Sequence, residues 1–332
     1  MKKGLLLVLA VFTAMILVGC GQKEAKTQEA FKVALAIPGS KTDGGWSQKA
    51  YDGLLMIEEE LDAEISVNEN TKPSDYEKVF RDFAKSGNKI VIGHGFEFGD
   101  AAKAVADEFP DTYFIVTSST VTNGKNLGSV SNFNLQAGFL QGALAALMTK
   151  TNTVGGIIGT EIPTFKRSLG GFELGAKYIN PNIKILSAVI GTTDDANKAK
   201  EQALVFIAQG ADVIMYSANA AGRGVAVASE EKGTYAIASI SGEFDTYKNS
   251  LIASTKVEMS KSILVVAEKI HEGSYKAQSN MYGVKEGIVD LIYSPTLESK
   301  IPKDVKDKMD DIKDKLTSGD IDVLKLAPAD LR

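Results

Sequence analysis

The side chains best suited to chemistry lie in loops that follow predicted strands, and they favour binding. The first of these loops, residues 38–48, contains Trp46, the only tryptophan among 332 residues. An indole on such a loop can stack on a planar ring, and the carboxylate of Asp43 can accept a hydrogen bond from a ligand amine. Ser47, beside the indole, is a further ligand-binding candidate. The alternatives are a packed plug under the next helix for Trp46 and a helix N-cap for Asp43.

A second candidate loop follows the predicted third strand, at residues 93–100 (GHGFEFGD). Its G-x-G-x-x-x-G spacing resembles a dinucleotide-binding loop, but it follows the third strand rather than the first, and its bulky side chains would crowd a pyrophosphate. We interpret it instead as a ligand loop that offers a ring face and a polar contact. The alternative places its phenylalanines, including Phe98, in the core and Asp100 at a helix N-cap. The ligand-binding candidates here are His94, Gly95, Phe96 and Glu97.

The second half of the chain supplies matching loops. Phe165 follows the first strand of that half, Asn219 follows the third, and Gly242 and Glu243 end the fourth. A ring together with hydrogen-bonding groups suits an amide-like edge or a sugar diol. Each of these residues can equally be an ordinary surface loop residue.

Motifs for catalysis or metal binding do not occur in the sequence. It contains two histidines far apart, His94 and His271, and no H-E-x-x-H, G-x-S-x-G, C-x-x-C or P-loop motif. The paired carboxylates at 194–195 and 310–311 fall at a predicted helix start and in a lysine-rich helix, where a general acid or base is not expected. We therefore expect a binding protein that is not an enzyme and has no cofactor and no metal.

Alternating strands and helices must position these loops, and the same order occurs twice. Such alternation predicts an α/β fold with parallel sheets and helices on both faces, and the ligand crevice of such sheets lies beyond the carboxyl ends of the strands. The predicted strands are residues 31–37, 64–67, 89–92 and 113–116 in the first half and 153–158, 183–189, 212–216 and 235–238 in the second.

Two lobes with a hinge follow from this repeat. We expect residues 31–131 plus about 246–277 to form an N-lobe, and 132–245 plus about 278–325 to form a C-lobe. The chain would then cross between the lobes three times, near 131–134, 242–245 and 277–281. A small molecule would bind between the facing loops.

The N-terminus indicates where the protein acts. A cationic start precedes an apolar run of about 14 residues, too short for a membrane-spanning helix and typical of a signal peptide. The run ends at Val18-Gly19-Cys20, which resembles a lipobox, so we expect residues 1–19 to be removed and the only cysteine, Cys20, to carry lipid. Residues 20–30 are a polar tether. The predicted location is the extracytoplasmic face of the cell membrane.

Composition excludes some partners. The chain is 44% apolar and 24% charged, with a formal net charge of −5. Nucleic-acid binding requires a concentrated basic face, so we expect no nucleic-acid partner. We expect a monomer whose partners are a small ligand and, through the lipid, the membrane.

Four segments in order resemble the basic membrane protein family of lipoproteins, which are substrate-binding components of ABC importers. They are residues 43–54 (DGGWSQKAYDGL), 134–159, 162–181 (IPTFKRSLGGFELGAKYINP) and 200–214 (KEQALVFIAQGADVI). The resemblance implies a type I periplasmic-binding-protein fold, two doubly wound parallel-sheet lobes joined by a three-stranded hinge. It also implies an ABC permease as partner and a purine nucleoside as ligand; other relatives are thought to take adenine or riboflavin.

The resemblance also implies roles for individual residues. The family's first-loop aromatic and its acidic partner fall on Trp46 and Asp43, and its second-lobe ring falls on Phe165. Many nucleoside-binding members have Phe-Asn where this chain has Trp46-Ser47, and Asp where it has Glu243. Lys256 stands one position earlier than the lysine of the family's Ser-x-x-Lys and is the candidate for a ribose contact.

Overall fold

Short apolar segments alternate with longer amphipathic ones, and the computed structural model folds them into two sheets flanked by helices. It describes residues 30–43, 45–239 and 243–331. The predicted leader, Cys20, residues 20–29 of the tether and Gly242 lie outside these residues, so the expectations for them stay predictions. No helix in the described part of the chain is both long and apolar enough to cross a membrane.

The first sheet has six strands that all pair in parallel. Their spatial order is β11-β5-β4-β3-β1-β2, so β1 lies between β3 and β2. The strands are β1 (Lys32–Ala36), β2 (Glu64–Asn68), β3 (Ile90–Gly93), β4 (Tyr113–Thr117), β5 (Leu127–Asn132) and β11 (Ser279–Tyr282).

The second sheet repeats this plan in the order β12-β10-β9-β8-β6-β7. Its pairs are parallel except at one edge, where β12 runs antiparallel to β10. The strands are β6 (Thr153–Ile158), β7 (Lys184–Val189), β8 (Val213–Ser217), β9 (Tyr235–Ala238), β10 (Leu251–Val257) and β12 (Val289–Tyr293).

Helices cover both faces of each sheet. Successive residues of a strand point to opposite faces, so Val33 and Leu35 of β1 join one buried cluster while Ala34 and Ala36 join another. The predicted α/β class with two mainly parallel sheets is confirmed. The helices are α1 (Trp46–Leu61), α2 (Tyr76–Lys85), α3 (Gly99–Ala106), α4 (Asn134–Met148), α5 (Pro163–Ile179), α6 (Ala196–Ala208), α7 (Arg223–Lys232), α8 (Met259–His271), α9 (Lys303–Ser318) and α10 (Val323–Leu326).

Helix pairing assigns α8 to the first sheet and α4 to the second. Helix α8 packs against α1, and α4 packs against α5. The second pair approaches closely through glycines: a Cβ atom on Gly142 would lie 1.9 Å from the carbonyl oxygen of Phe172. Side chains larger than hydrogen at this position would separate the two helices.

The chain passes between the sheets at three places, two of which differ from expectation. The first passage, between β5 and α4, lies at the expected position near Asn132. The second lies after Val257 and the third after Tyr282, because β10 belongs to the second sheet and β11 to the first. Two of the expected lobe assignments are therefore wrong. Strand β10 was expected in the N-lobe but belongs to the second sheet, and β11 was expected in the C-lobe but belongs to the first sheet. The apolar patterns indicate four strands in each half, whereas β5 and β10 add a fifth to each.

Backbone hydrogen bonds join the three passages. The amide of Phe133 donates to Tyr282 O at 2.9 Å, and the amide of Glu258 donates to Ile288 O at 2.9 Å. The hydroxyl of Ser262, on α8, donates to Asn132 Oδ1 at 3.1 Å. These bonds link segments that are distant in sequence, at the place where a hinge is expected.

Candidate functional site

Asp43 caps α1. Its Oδ1 accepts hydrogen bonds from the backbone N–H groups of Gly45 (2.8 Å) and Gln48 (3.0 Å), and its Oδ2 accepts one from Ser47 N–H (3.0 Å). These bonds, led by the one from Gly45, lower the pKa of the Asp43 carboxyl to about 2. The carboxylate therefore satisfies amides that the helix start leaves without an intrahelical partner. A ligand contact through its remaining lone pairs stays a prediction.

Ser47 joins the end of β1 to the same helix. Its side chain is buried, and Oγ accepts a hydrogen bond from Gly39 N–H at 3.2 Å. The hydroxyl thus fixes the loop internally. A direct ligand contact for Ser47 stays a prediction.

Trp46 presents its indole at the carboxyl end of β1. The side chain is 44% exposed, so it is not a plug beneath the helix. One ring face lies on the imidazole of His94, with centroids 4.1 Å apart and an interplanar angle of 29°. An aromatic ring with one face covered and the other face exposed is a suitable platform for a planar ligand.

His94 lies fully buried beneath this indole. Its Nε2 lies 3.1 Å from Trp46 O, and its Nδ1 lies 2.9 Å from the hydroxyl of Thr117, the last residue of β4. Burial disfavours the charged imidazolium and lowers the pKa of His94 to about 4, so the ring is neutral at pH 7.

The rest of the β3 loop is arranged around Gly95, whose φ of +130° is suited only to glycine. The following Phe96 is 73% exposed whereas Phe98 is fully buried, so Phe98 is a core residue as expected and a core position for Phe96 is wrong. Asp100 is not the N-cap of α3, because that helix begins at Gly99 and Phe98 occupies the cap position. The side chain of Glu97 is exposed.

The second-sheet candidates lie on four separate segments of the chain. Phe165, in the first turn of α5, is only 7% exposed, which limits its ring as a ligand contact. Asn219 is exposed and begins a short 3₁₀ turn after β8, with a φ of +48°. Glu243 pairs with Arg223 at 2.6 Å, and Lys256 pairs with Glu258 at 2.6 Å. Ligand contacts for these four candidates stay predictions.

The structure therefore brings together the first-sheet candidates, with Trp46 and His94 at their centre. Thr117, Arg223 and Glu258 were missed by the sequence argument. One of them had a signal: Thr117 is the first hydroxyl residue after the apolar segment Phe114–Val116, at the end of the predicted strand. No sequence pattern indicated the ion pairs that the other two form with Glu243 and Lys256.

Glu97 also lines a surface depression that does not include Trp46 or His94. This depression, of about 630 Å³, is lined mainly by charged and polar side chains of α2 and the β3 loop, and Arg81 within it already pairs with Glu77 and Glu108. We give it less weight as a ligand site than the Trp46 platform, because ligand sites usually combine apolar walls with a few polar groups. Across the described residues, no group of three or more His, Cys, Asp or Glu side chains is placed to hold a metal ion.

Several known proteins are related to this chain in sequence or in fold. The chain is 29% identical over 294 residues to the transcriptional activator protein Med of Bacillus subtilis, covering 88% of this chain and 91% of that one. It is 28% identical over 321 residues to the ABC transporter nucleoside-binding protein BmpA of Lactococcus lactis, covering 88% and 92%.

A solved structure shares the fold. The ABC transporter solute-binding protein of Conexibacter woesei superposes with a TM-score of 0.68 at 23% identity, covering 88% of this chain and 98% of that one. The expected periplasmic-binding-protein-like fold class is thus confirmed. The family described as ABC transporter substrate-binding protein, PnrA-like, matches residues 30–323. With a match over most of its length, the chain belongs to this family of ABC transporter substrate-binding proteins.

Proposed function

We propose that this protein is a lipid-anchored receptor on the extracytoplasmic face of the cell membrane. It captures a purine nucleoside or a related planar solute and delivers it to an ABC permease, without making or breaking a covalent bond in the ligand. Cys20 carries the lipid, and the tether that ends at residue 30 keeps the folded part near the permease.

The observation that carries this proposal is the indole of Trp46, half-exposed at a strand end and supported from below by His94. Strands β1 and β3 are neighbours, so the loop that holds Phe96 begins beside the loop that holds Trp46. Two exposed aromatic side chains at adjacent strand ends suit a flat, partly apolar solute. Stacking on such rings contributes roughly 1 kcal/mol beyond the burial of their area.

Polar recognition comes from the second sheet. Glu243 and Asn219 follow β9 and β8, which are adjacent strands, and both side chains are exposed. A carboxylate and an amide can pair with ring nitrogens or with ribose hydroxyls. Closure of the two halves over the ligand would shift a hinge equilibrium by differential affinity.

A second candidate function is a sensor whose loaded form docks on a membrane receptor. The observation that favours it is the similarity to the transcriptional activator Med. Co-purification with a permease supports the importer, whereas co-purification with a signalling receptor and no permease supports the sensor.

The function is tested by native mass spectrometry on protein purified without refolding, followed by calorimetry. Adenosine, guanosine and inosine are the first probes, with adenine and riboflavin as alternative ring compounds and glucose as a control without an aromatic ring. We expect binding of at least one nucleoside and none of glucose. Binding of glucose alone would contradict the proposal.

A further inference from the structure

Hydrogen bonds connect the carboxyl ends of the adjacent strands β4 and β3 to the first residue of α1, the helix that follows β1. The amide of Gly95 donates to Thr117 Oγ1 at 3.0 Å, Thr117 Oγ1 lies 2.9 Å from His94 Nδ1, and His94 Nε2 lies 3.1 Å from Trp46 O. All of these contacts lie at the carboxyl edge of the sheet, directly behind the exposed indole. The two side chains in the middle, Thr117 and His94, are fully buried.

The direction of these hydrogen bonds follows from which atoms can donate a proton and which can only accept one. A backbone amide can only donate and a carbonyl can only accept. Thr117 Oγ1 already accepts from Gly95 N–H, so its single hydroxyl proton is free to go to His94 Nδ1. The neutral imidazole then carries its proton on Nε2 and donates it to Trp46 O. The opposite tautomer would place the Nε2 lone pair against a carbonyl oxygen.

The same imidazole also supports the indole. Its ring lies on one face of Trp46 at a centroid separation of 4.1 Å, so His94 holds both the backbone and the ring of that residue. Because neither ring nitrogen is free and the side chain has no exposed surface, His94 has no group left for a ligand. Its influence on binding must pass through Trp46.

We propose that Thr117 and His94 are positioning residues that fix one imidazole tautomer and thereby hold the Trp46 indole with a single face available for stacking. This inference rests on the proposed binding role of Trp46, and it changes the role of His94 from ligand contact to support. A planar ligand stacks on the indole face opposite the imidazole. Thr117 is then a determinant of ligand affinity although it is buried below the surface that the ligand contacts.

The experiment compares two variants. Thr117→Val keeps the shape of the side chain and removes the hydroxyl, whereas Thr117→Ser keeps the hydroxyl and removes the methyl group. Fluorescence reads the indole directly, because Trp46 is the only tryptophan in the protein. Without ligand, we expect Thr117→Val to shift the emission and to increase acrylamide quenching at least twofold, and Thr117→Ser to resemble the wild type. With the tightest-binding nucleoside as probe, we expect Thr117→Val to raise Kd at least fivefold and Thr117→Ser less than twofold.

A second variant covers the case in which Thr117→Val fails to fold. His94→Phe keeps an aromatic ring against the indole and removes both hydrogen bonds, so it should also increase quenching. Wild-type emission, quenching and Kd in a folded Thr117→Val or His94→Phe protein would overturn the inference, as would an equal defect in Thr117→Ser. If no nucleoside binds the wild type, the proposed function fails on its own, while the ligand-free quenching still decides whether these residues position Trp46.

Discussion

Arg223 Nη2 lies 2.6 Å from Glu243 Oε1, and this ion pair joins the start of α7 to the segment that follows β9. Both side chains are partly exposed, at 56% and 43%. Exposed pairs contribute little to stability, so its main consequence is to orient the carboxylate. If Glu243 recognises the ligand, Arg223 sets the direction from which it does so.

Replacement of Arg223 should therefore affect binding more than folding. We expect Arg223→Ala to weaken nucleoside binding about threefold to tenfold, because the carboxylate loses its fixed orientation, and to leave the melting temperature nearly unchanged. Calorimetry and thermal unfolding measure the two effects. Lys303→Ala, which breaks another exposed pair with Asp307 on α9, is the control. Equal affinity in both variants would contradict the proposed role of Arg223 in orienting Glu243 for the ligand.

Replacement of Trp46 tests the stacking platform. We expect Trp46→Ala to weaken binding more than tenfold while the melting transition stays nearly intact, because the side chain is 44% exposed and covers little of the core. Trp46→Phe keeps a smaller ring and should lose less. Calorimetry measures both affinities, and a Trp46→Ala protein that binds as tightly as the wild type would rule out the platform.

Gly95 tests the shape of the β3 loop. Its φ of +130° and ψ of 149° disfavour any side chain, and a Cβ would lie within 2.5 Å of the Glu97 carboxylate. We expect Gly95→Ala to lower the free energy of unfolding by about 1–3 kcal/mol, measured by urea denaturation. Gly124→Ala is the matched control, since Gly124 also has a positive φ, +72°, but open space around its Cβ, and it should cost less. An equal loss in both would show that the backbone conformation and surroundings of Gly95 restrict this position no more than those of Gly124 do.

Acid should destabilise the protein through His94. Its pKa falls from an ordinary value of 6.5 to about 4 because burial disfavours the imidazolium. The unfolded chain therefore takes up the proton first, so the contribution of His94 to stability is complete above pH 6.5 and is lost as the pH falls towards 4. The expected loss is up to about 3 kcal/mol. The contribution of Asp43 to stability is lost only between about pH 4 and 2, since the pKa of this carboxyl in the folded protein is about 2.

The measurement compares urea unfolding of the wild type and His94→Gln at pH 7 and pH 4.5. The other histidine, His271, is present in both proteins, so its contribution cancels. We expect the difference in stability between the two proteins to narrow at the lower pH. A constant difference would show that His94 does not titrate in this range.

Much of the fold was predictable because the apolar strand segments are short and uninterrupted. The strand at Thr153–Ile158 was predicted with both boundaries correct, and of the two carboxylates at 194–195 that were placed at a helix start, Asp195 caps α6 with its side chain. The fifth strand of each half was missed. Leu127–Asn132 contains glycine, serines and asparagine, and β10 contains hydroxyls and a lysine, so neither shows the apolar run typical of a buried strand.

The site was predictable in its loops and less so in its contacts. Strand ends placed Trp46 and His94 on the same edge of the sheet, but no pattern indicated that the two rings stack on each other. A contact between side chains 48 positions apart depends on the relative height of two strands, which the β1–β3 register sets. The sequence alone could not decide whether Asp43 caps a helix or binds a ligand. A carboxylate at that position can reach either one, and the path of the loop backbone decides which.

The chain passes between the two sheets three times, and this has a consequence for biosynthesis. The first sheet needs β11, which the ribosome adds only after every strand of the second sheet except β12. A break after Asn132 would leave the N-terminal fragment without β11 and α8, and a break after Tyr282 would leave the second sheet without β12. No single cleavage therefore yields two fragments that each keep a full set of strands, and neither half can complete its sheet before nearly the whole polypeptide has been made.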